Sequence, residues 1–167
     1  LPVYAIDILD VGAAGAGFLR SAMAAGSLAT GLALTMVTMD RAVGRILYIT
    51  VIIFGAATIV FGISEAYWLS LSAMAILGAA DMVSVYIRVT LIQIATPDDM
   101  RGRVNAVNSI FTGASNEIGE ARAGVMATMI GPIGAVVFGG VCSILAAVDC
   151  WKLLPALTKV ESMDRSL

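Results

Sequence analysis

The chain has no histidine. That excludes an imidazole metal site or a Ser-His catalytic pair built within it. Charge is scarce as well. Asp, Glu, Lys and Arg make up 13% of the residues, against roughly 25% in an ordinary soluble domain. No basic tract points to nucleic acid, and a net charge of −2 carries no message about partners. The two cysteines, Cys142 and Cys150, stand eight residues apart in one apolar run. On a helix that is about 12 Å of rise, beyond the reach of a disulfide, so they read as small apolar core residues. No signal peptide is visible. The chain begins at Leu1 rather than Met, in an apolar Leu1-Pro-Val-Tyr-Ala5, and this start reads as the cut end of a longer polypeptide.

Apolar residues are what the chain has in quantity: 59%, with a mean hydropathy of +0.94. A soluble protein of 167 residues would be left with too little polar surface. The length suits five to six membrane spans of roughly 20 residues each. Five long apolar runs are placed at 17–38, 46–64, 67–95, 104–130 and 132–154. Inside lipid a lone helix satisfies its own backbone and an open sheet does not. The alternation of a membrane barrel is missing. The expectation is an all-α, polytopic membrane bundle of about five transmembrane helices plus the end of a sixth, the last supplied by Leu1 to about Leu9.

Between the runs lie short connections at Asp10–Gly17, Asp40–Arg45, Ser64–Ala66, Pro97–Arg103 and Gly131–Gly134. Arg41, Arg45, Arg101, Arg103, Lys152, Lys159 and Arg165 are seven of the ten basic residues, and all fall on one side. The positive-inside rule makes that side cytoplasmic, which puts the C-terminus inside and the Gly131-Pro132 turn outside. Tyr67 and Trp68 fit the outer interface, Tyr48 and Trp151 the inner one. Small residues four apart recur: Ala22/Gly26/Thr30, Ala75/Ala79, Ser109/Gly113, Ser115/Gly119 and Ala135/Gly139. Such spacing lets membrane helices approach closely.

Ionisable groups within a membrane span are costly and are functional suspects by default. Asp81 falls near the middle of the third run, and Arg88, seven residues on, shares its face. Glu117 and Glu120 lie at i, i+3 near mid-depth in the fourth run, followed by Arg122. Arg122 and Glu120 are two apart and diverge on a helix, so the arginine's partner is expected from another helix. Asn108, Thr112, Ser115, Gly119 and Arg122 form a stripe that would line a cavity or a seam. One reading makes these groups a path for substrate or protons, since a low-dielectric site favours the neutral form of a carboxyl. The other makes them a structural acid–base lock.

Two polar turns stand out. Asp40-Arg-Ala-Val-Gly-Arg45 places an acid and two arginines in a tight turn, which reads either as a breakable cytoplasmic latch or as positive-inside charge plus a turn. Thr96-Pro-Asp-Asp-Met-Arg-Gly-Arg-Val104 is a polar hinge clamped between apolar runs. The first resembles the Asp-Arg-x-Gly-Arg loop motif of the major facilitator superfamily, with one extra residue between Arg and Gly. The second resembles the loop joining the tenth and eleventh helices of those transporters. Ser115-Asn-Glu-Ile-Gly-Glu-Ala-Arg-Ala-Gly124, Gly131-Pro-Ile-Gly134 and Trp151-Lys-Leu-Leu-Pro155 are similar to the eleventh helix, its following turn and the chain end in the enterobactin-exporter and macrolide-efflux-like branch.

The resemblance spans nearly the whole chain. It implies that residues 1–167 are the C-terminal half of a twelve-helix transporter, holding the end of helix seven, helices eight to twelve and a short cytoplasmic tail. It also implies proton-coupled efflux of a small amphipathic compound, such as a drug or siderophore, across a bacterial inner membrane. The partners would be the bilayer, the missing N-terminal half and the substrate, with no cofactor, metal or nucleic acid. Asp81, Glu117, Glu120 and Arg122 would serve the substrate or proton pathway. Asp40, Arg41, Arg45, Asp98, Arg101 and Arg103 would close the cytoplasmic gate. A rival reading is a non-transporting membrane module that oligomerises through its small-residue faces. An intramembrane enzyme is disfavoured: Asp81 stands alone rather than in a helical Asp series, and the His of a Ser-His protease is missing.

Overall fold

The computed structural model describes residues 12–36 and 43–153. Over these residues the chain is helical, with four elements: α1 (Gly12–Met36), α2 (Val43–Ile63), α3 (Tyr67–Ala95) and α4 (Arg101–Leu153). Residues 1–11 and the tail beyond Leu153 lie outside the described part, as do Asp40 and Arg41 of the expected gate.

Five helices were expected and four are found. The fourth and fifth expected spans adjoin across a kink at Gly131 with no linker between them, as the two arms of one bent element. Only Gly131 leaves helical geometry, at φ 80 and ψ 162. Pro132 has no N–H to donate and its ring would strike the carbonyl a turn back, so the helix cannot run straight through it. Glycine takes the positive φ that other residues resist, and proline suits the first position of the restarted helix. The break is therefore one residue long and divides α4 into arms 101–130 and 132–153.

Among the described residues three stretches are long and apolar enough to cross a membrane: Gly44–Ile63, Tyr67–Ala95 and Arg101–Asp149. Within its described residues the first expected span, in α1, has the length at 25 residues but not the apolarity. Its Ala, Gly, Ser and Thr content and Arg20 dilute it. The connections at 64–66 and around Pro97 fall where they were read. Thr96 is extended (φ −105, ψ 127), as a residue before proline must be.

The packing order is not the chain order. α1 packs on α3, α3 on α2, and α2 on α4, so α3 lies between its two predecessors. Leu19, Ala57, Phe61, Ala73, Met74 and Leu77 form the buried cluster that joins α1, α2 and α3. Backbones meet at glycines. A Cβ on Gly26 would collide with the carbonyl of Ala75, and one on Gly78 with the carbonyl of Met23. Ser27 Oγ lies 3.1 Å from Met23 O and 3.0 Å from Gly78 O, so its one hydrogen ties α1 to α3. At the α2–α4 crossing Gly55 faces Gly140: a Cβ on Gly140 would stand 2.8 Å from Gly55 O. The expected small-residue face at Gly26 and Ala75 is thus used. Those at Gly113, Gly119 and Gly139 meet nothing within 4 Å.

The outer surface is apolar. Leu28, Ile53, Ile76, Ile110 and Phe111 are all exposed, which suits hydrocarbon surroundings and would be a liability in water.

Candidate functional site

Asp81 stands at the midpoint of α3, fourteen residues from Tyr67 and fourteen from Ala95. That is about 21 Å from either end. Nothing in the local sequence of α3 forces the helix to tolerate it there. α2 packs beside α3 here, and Ser143 of the 132–153 arm, which packs on α2, borders the same space. The result is a half-open pocket of about 200 Å³, lined by Asp81, Ser84, the exposed Arg88, Thr50 and Ser143 and by the apolar Val51, Phe54 and Ala80. Asp81 and Arg88 share this cavity, as their spacing predicts. They do not form an ion pair: among the described residues the ion pair is Asp98 with Arg101. Arg88 Nε instead donates to Ser84 O at 3.4 Å.

Arg88 also borders a second space of about 520 Å³, between the C-terminal half of α3 and the start of α4. Val85, Val89 and Ile92 line it from α3, and Asn108, Ser109 and Thr112 from α4. Arg88 is thus the side chain common to a small polar cavity and a larger, mainly apolar one.

The other expected site residues are elsewhere. Glu117, Glu120 and Arg122 lie on the 101–130 arm, all exposed. From Ile110 to Ile118 every residue of that arm is exposed. Among the described residues none supplies Arg122 with the interhelical acid it was expected to find. Of the polar stripe, Asn108 and Thr112 reach the larger cavity, whereas Ser115 and Arg122 remain exposed. Asp81 and the glutamates are therefore not brought into one site.

Of the gate residues, Asp98 and Arg101 pair at 2.8 Å within their own turn. Arg101 Nε also donates to Thr96 O at 3.4 Å. Arg45 and Arg103 are exposed, and Asp40 and Arg41 fall outside the described residues. The aromatic residues sort to opposite ends. Tyr48 and Trp151 meet with ring centroids 5.5 Å apart. Tyr67 and Trp68 form an edge-on pair at 6.1 Å, beside a groove that also includes Phe18 and Leu71.

The sequence reading missed Thr50, Ser84 and Ser143. Ser84 had a signal, three residues after Asp81 and four before Arg88 on the same face. Thr50 and Ser143 had none, because only the packing of α2 on α3 and of α4 on α2 brings them to the pocket at Asp81. Comparison of the chain with family models, curated proteins and solved structures gives no match.

Proposed function

We propose that this chain is the C-terminal half of a secondary transporter of the major facilitator kind, exporting a small amphipathic compound in exchange for protons across the bacterial inner membrane. The observation that carries the reading is the polar cavity at Asp81 and Arg88, at the midpoint of a helix long and apolar enough to span a bilayer. A carboxylate at that depth is expensive unless it has work to do. The motif resemblance at Asp40–Arg45, Pro97–Arg103 and Ser115–Gly124 supplies the family and the direction of transport.

In this reading Asp81 exchanges the coupling proton, and Arg88 links that event to the larger cavity where the compound sits. Glu117, Glu120 and Arg122 face the seam with the N-terminal half. Alternating access rocks the two halves about the site. The Pro97–Arg103 turn, with Asp98, Arg101 and Arg103, and the Asp40–Arg45 turn close the cytoplasmic gate, with the C-terminus on the same side. The test is export by the full-length protein in cells carrying Asp81→Asn, Glu117→Gln or Glu120→Gln. The expected result is loss of pH-dependent export in at least one variant. Wild-type, pH-dependent export in all three sinks the proposed role of the carboxyls.

A second reading, a membrane module that oligomerises without transporting, is favoured by the exposed 101–130 arm, whose Ser109, Gly113, Ser115 and Gly119 offer a close-packing face. The coding sequence upstream of Leu1 separates the two. About 200 further codons encoding six more spans support the transporter; a start codon close by supports the module.

A further inference from the structure

The cleft of about 520 Å³ between α3 and the start of α4 is half-open and has two unlike walls. Val85, Val89 and Ile92 make the α3 wall apolar, and Asn108, Ser109 and Thr112 make the α4 wall polar. Arg88 borders the cleft from α3 and is its one charged group. Asp81, the acid of α3, opens to the smaller pocket instead. The two walls are level where the polar groups meet. Arg88 stands seven residues before the end of α3 at Ala95, and Asn108 seven residues after the start of α4 at Arg101. Each is therefore about 10 Å along its helix from the Pro97–Arg103 turn.

The polar groups of this cleft have donors to spare. Hydroxyls elsewhere in the helices spend their hydrogen on their own backbone. Thr58 donates to Phe54 O, Thr96 to Ile92 O and Ser143 to Gly139 O, each one turn back. Ser109, Thr112 and the Asn108 amide make no such bond among the described residues. Arg88 gives only its Nε, to Ser84 O at 3.4 Å, and has no ion pair among those residues. A guanidinium has five N–H donors and no acceptor, and a hydroxyl or amide can donate as well. The cleft thus sets a positive charge and unspent donors opposite an apolar wall, with no acid in its lining to neutralise them.

That combination selects an occupant. A cation would meet a like charge. A neutral apolar molecule would leave the donors unmatched, which is costly once water is excluded. Water would meet the donors but gain nothing from the α3 wall. An oxyanion on an apolar body satisfies both walls, and charge-assisted bonds to Arg are the strong kind. We propose that the cleft binds an amphipathic compound bearing a carboxylate or a like oxyanion, with the anion toward Arg88 and the α4 donors and the body on the α3 wall. The volume falls within the roughly 300–1,000 Å³ usual for small-molecule sites. Binding rests on the cleft alone. That the bound anion is the exported compound rests on the transport reading, which it narrows: anionic amphiphiles are carried and cationic ones are not.

The experiment uses the purified full chain in phosphatidylcholine nanodiscs, with radiolabelled decanoate as the probe and empty nanodiscs as the blank. Saturable binding is expected, displaced by unlabelled decanoate and about tenfold less well by decanol or decyltrimethylammonium. Arg88→Gln weakens the affinity about tenfold with helicity unchanged, and Arg88→Lys restores part of it. Val89→Trp, which fills the cleft and keeps the charge, weakens binding as Arg88→Gln does. Arg20→Gln, at an exposed arginine on α1, leaves it intact. No saturable binding in the wild type, equal displacement by decyltrimethylammonium, or wild-type affinity in Arg88→Gln overturns the proposal. So does loss of decanoate binding when phosphatidylglycerol replaces part of the phosphatidylcholine, which hands the cleft to a bilayer lipid. Decanoate binding without export of any compound in a panel by the full-length protein sinks the transport reading and leaves this site standing. Export of a cationic compound, indifferent to Arg88→Gln, does the reverse.

Discussion

The two arms of α4 meet at a kink at Gly131 and have opposite fates. The 132–153 arm lies on α2, with Gly140 against Gly55 and Val136 against Gly62, and contributes Ser143 to a polar cavity. The 101–130 arm touches α3 near its start and is otherwise exposed. Yet the exposed arm carries the two glutamates and the arginine. Helix formation is local, decided by each residue's backbone and its neighbours a turn away, and both arms satisfy it equally. Packing is decided by what stands opposite. A span bearing Glu117, Glu120 and Arg122 cannot face hydrocarbon along its length, because each unpaired charge there costs several kcal/mol. Water or a polar protein surface must run beside it.

The contrast can be broken at four points, in order of expected effect. Phe61 is 5% exposed and Phe111 is 69% exposed. Phe61→Ala should cost about 3 kcal/mol of unfolding free energy, because its neighbours close only partly on the space left, while Phe111→Ala should stay within about 0.5 kcal/mol. Equal losses, measured by unfolding in mixed micelles, would mean the 101–130 arm is covered. Next come the glycines. Gly140→Val should cost about 2 kcal/mol by driving a side chain into Ile59 and the Gly55 carbonyl. Gly119→Val, into open space, should change the melting temperature little; a large drop there would point to a partner on that face.

The junction itself is the third point. Gly131→Ala forces a side chain into a positive φ and should cost about 1 kcal/mol, read as a lower unfolding midpoint with helicity retained. An unchanged midpoint would mean the arms can meet at another angle without penalty. The smallest effect belongs to Arg101→Ala. Its bond to Asp98 is solvent-facing, with side chains 37% and 79% exposed, and such pairs contribute about 0.5 kcal/mol. A loss of export far beyond that stability change would assign the turn to the gate rather than to the fold.

How much of this was legible in the sequence follows from the same division. The helix α3 was readable to the residue and α2 to within three residues, since apolar runs bounded by Ser64–Ala66 and by Pro97 leave little choice. The sharing of one face by Asp81 and Arg88 followed from a spacing of seven. Asp81's neighbours across the pocket did not, because Thr50 and Ser143 are ordinary polar residues in apolar runs until α2 is laid against α3 and α4 against α2. The break between the last two expected spans was read where it falls, and only its brevity was not. Gly131-Pro132 reads as a turn between helices, but the geometry needs only one non-helical residue there. The glutamates were singled out by depth alone, and depth does not say which helix, if any, stands opposite.

The backbone contacts between α1 and α3 carry a mechanical consequence. Gly26 lies under Ala75, Gly78 lies under Met23, and Ser27 clips the two strips together. Sliding one helix by a single residue, about 1.5 Å, would bring side chains where only hydrogens now fit. The pair is therefore keyed like a spline in its groove: free to tilt as one beam, unable to shear. Any movement that opens the Asp81 cavity has to be made by α2 and α4 turning against that beam, with the short 64–66 connection as the pivot.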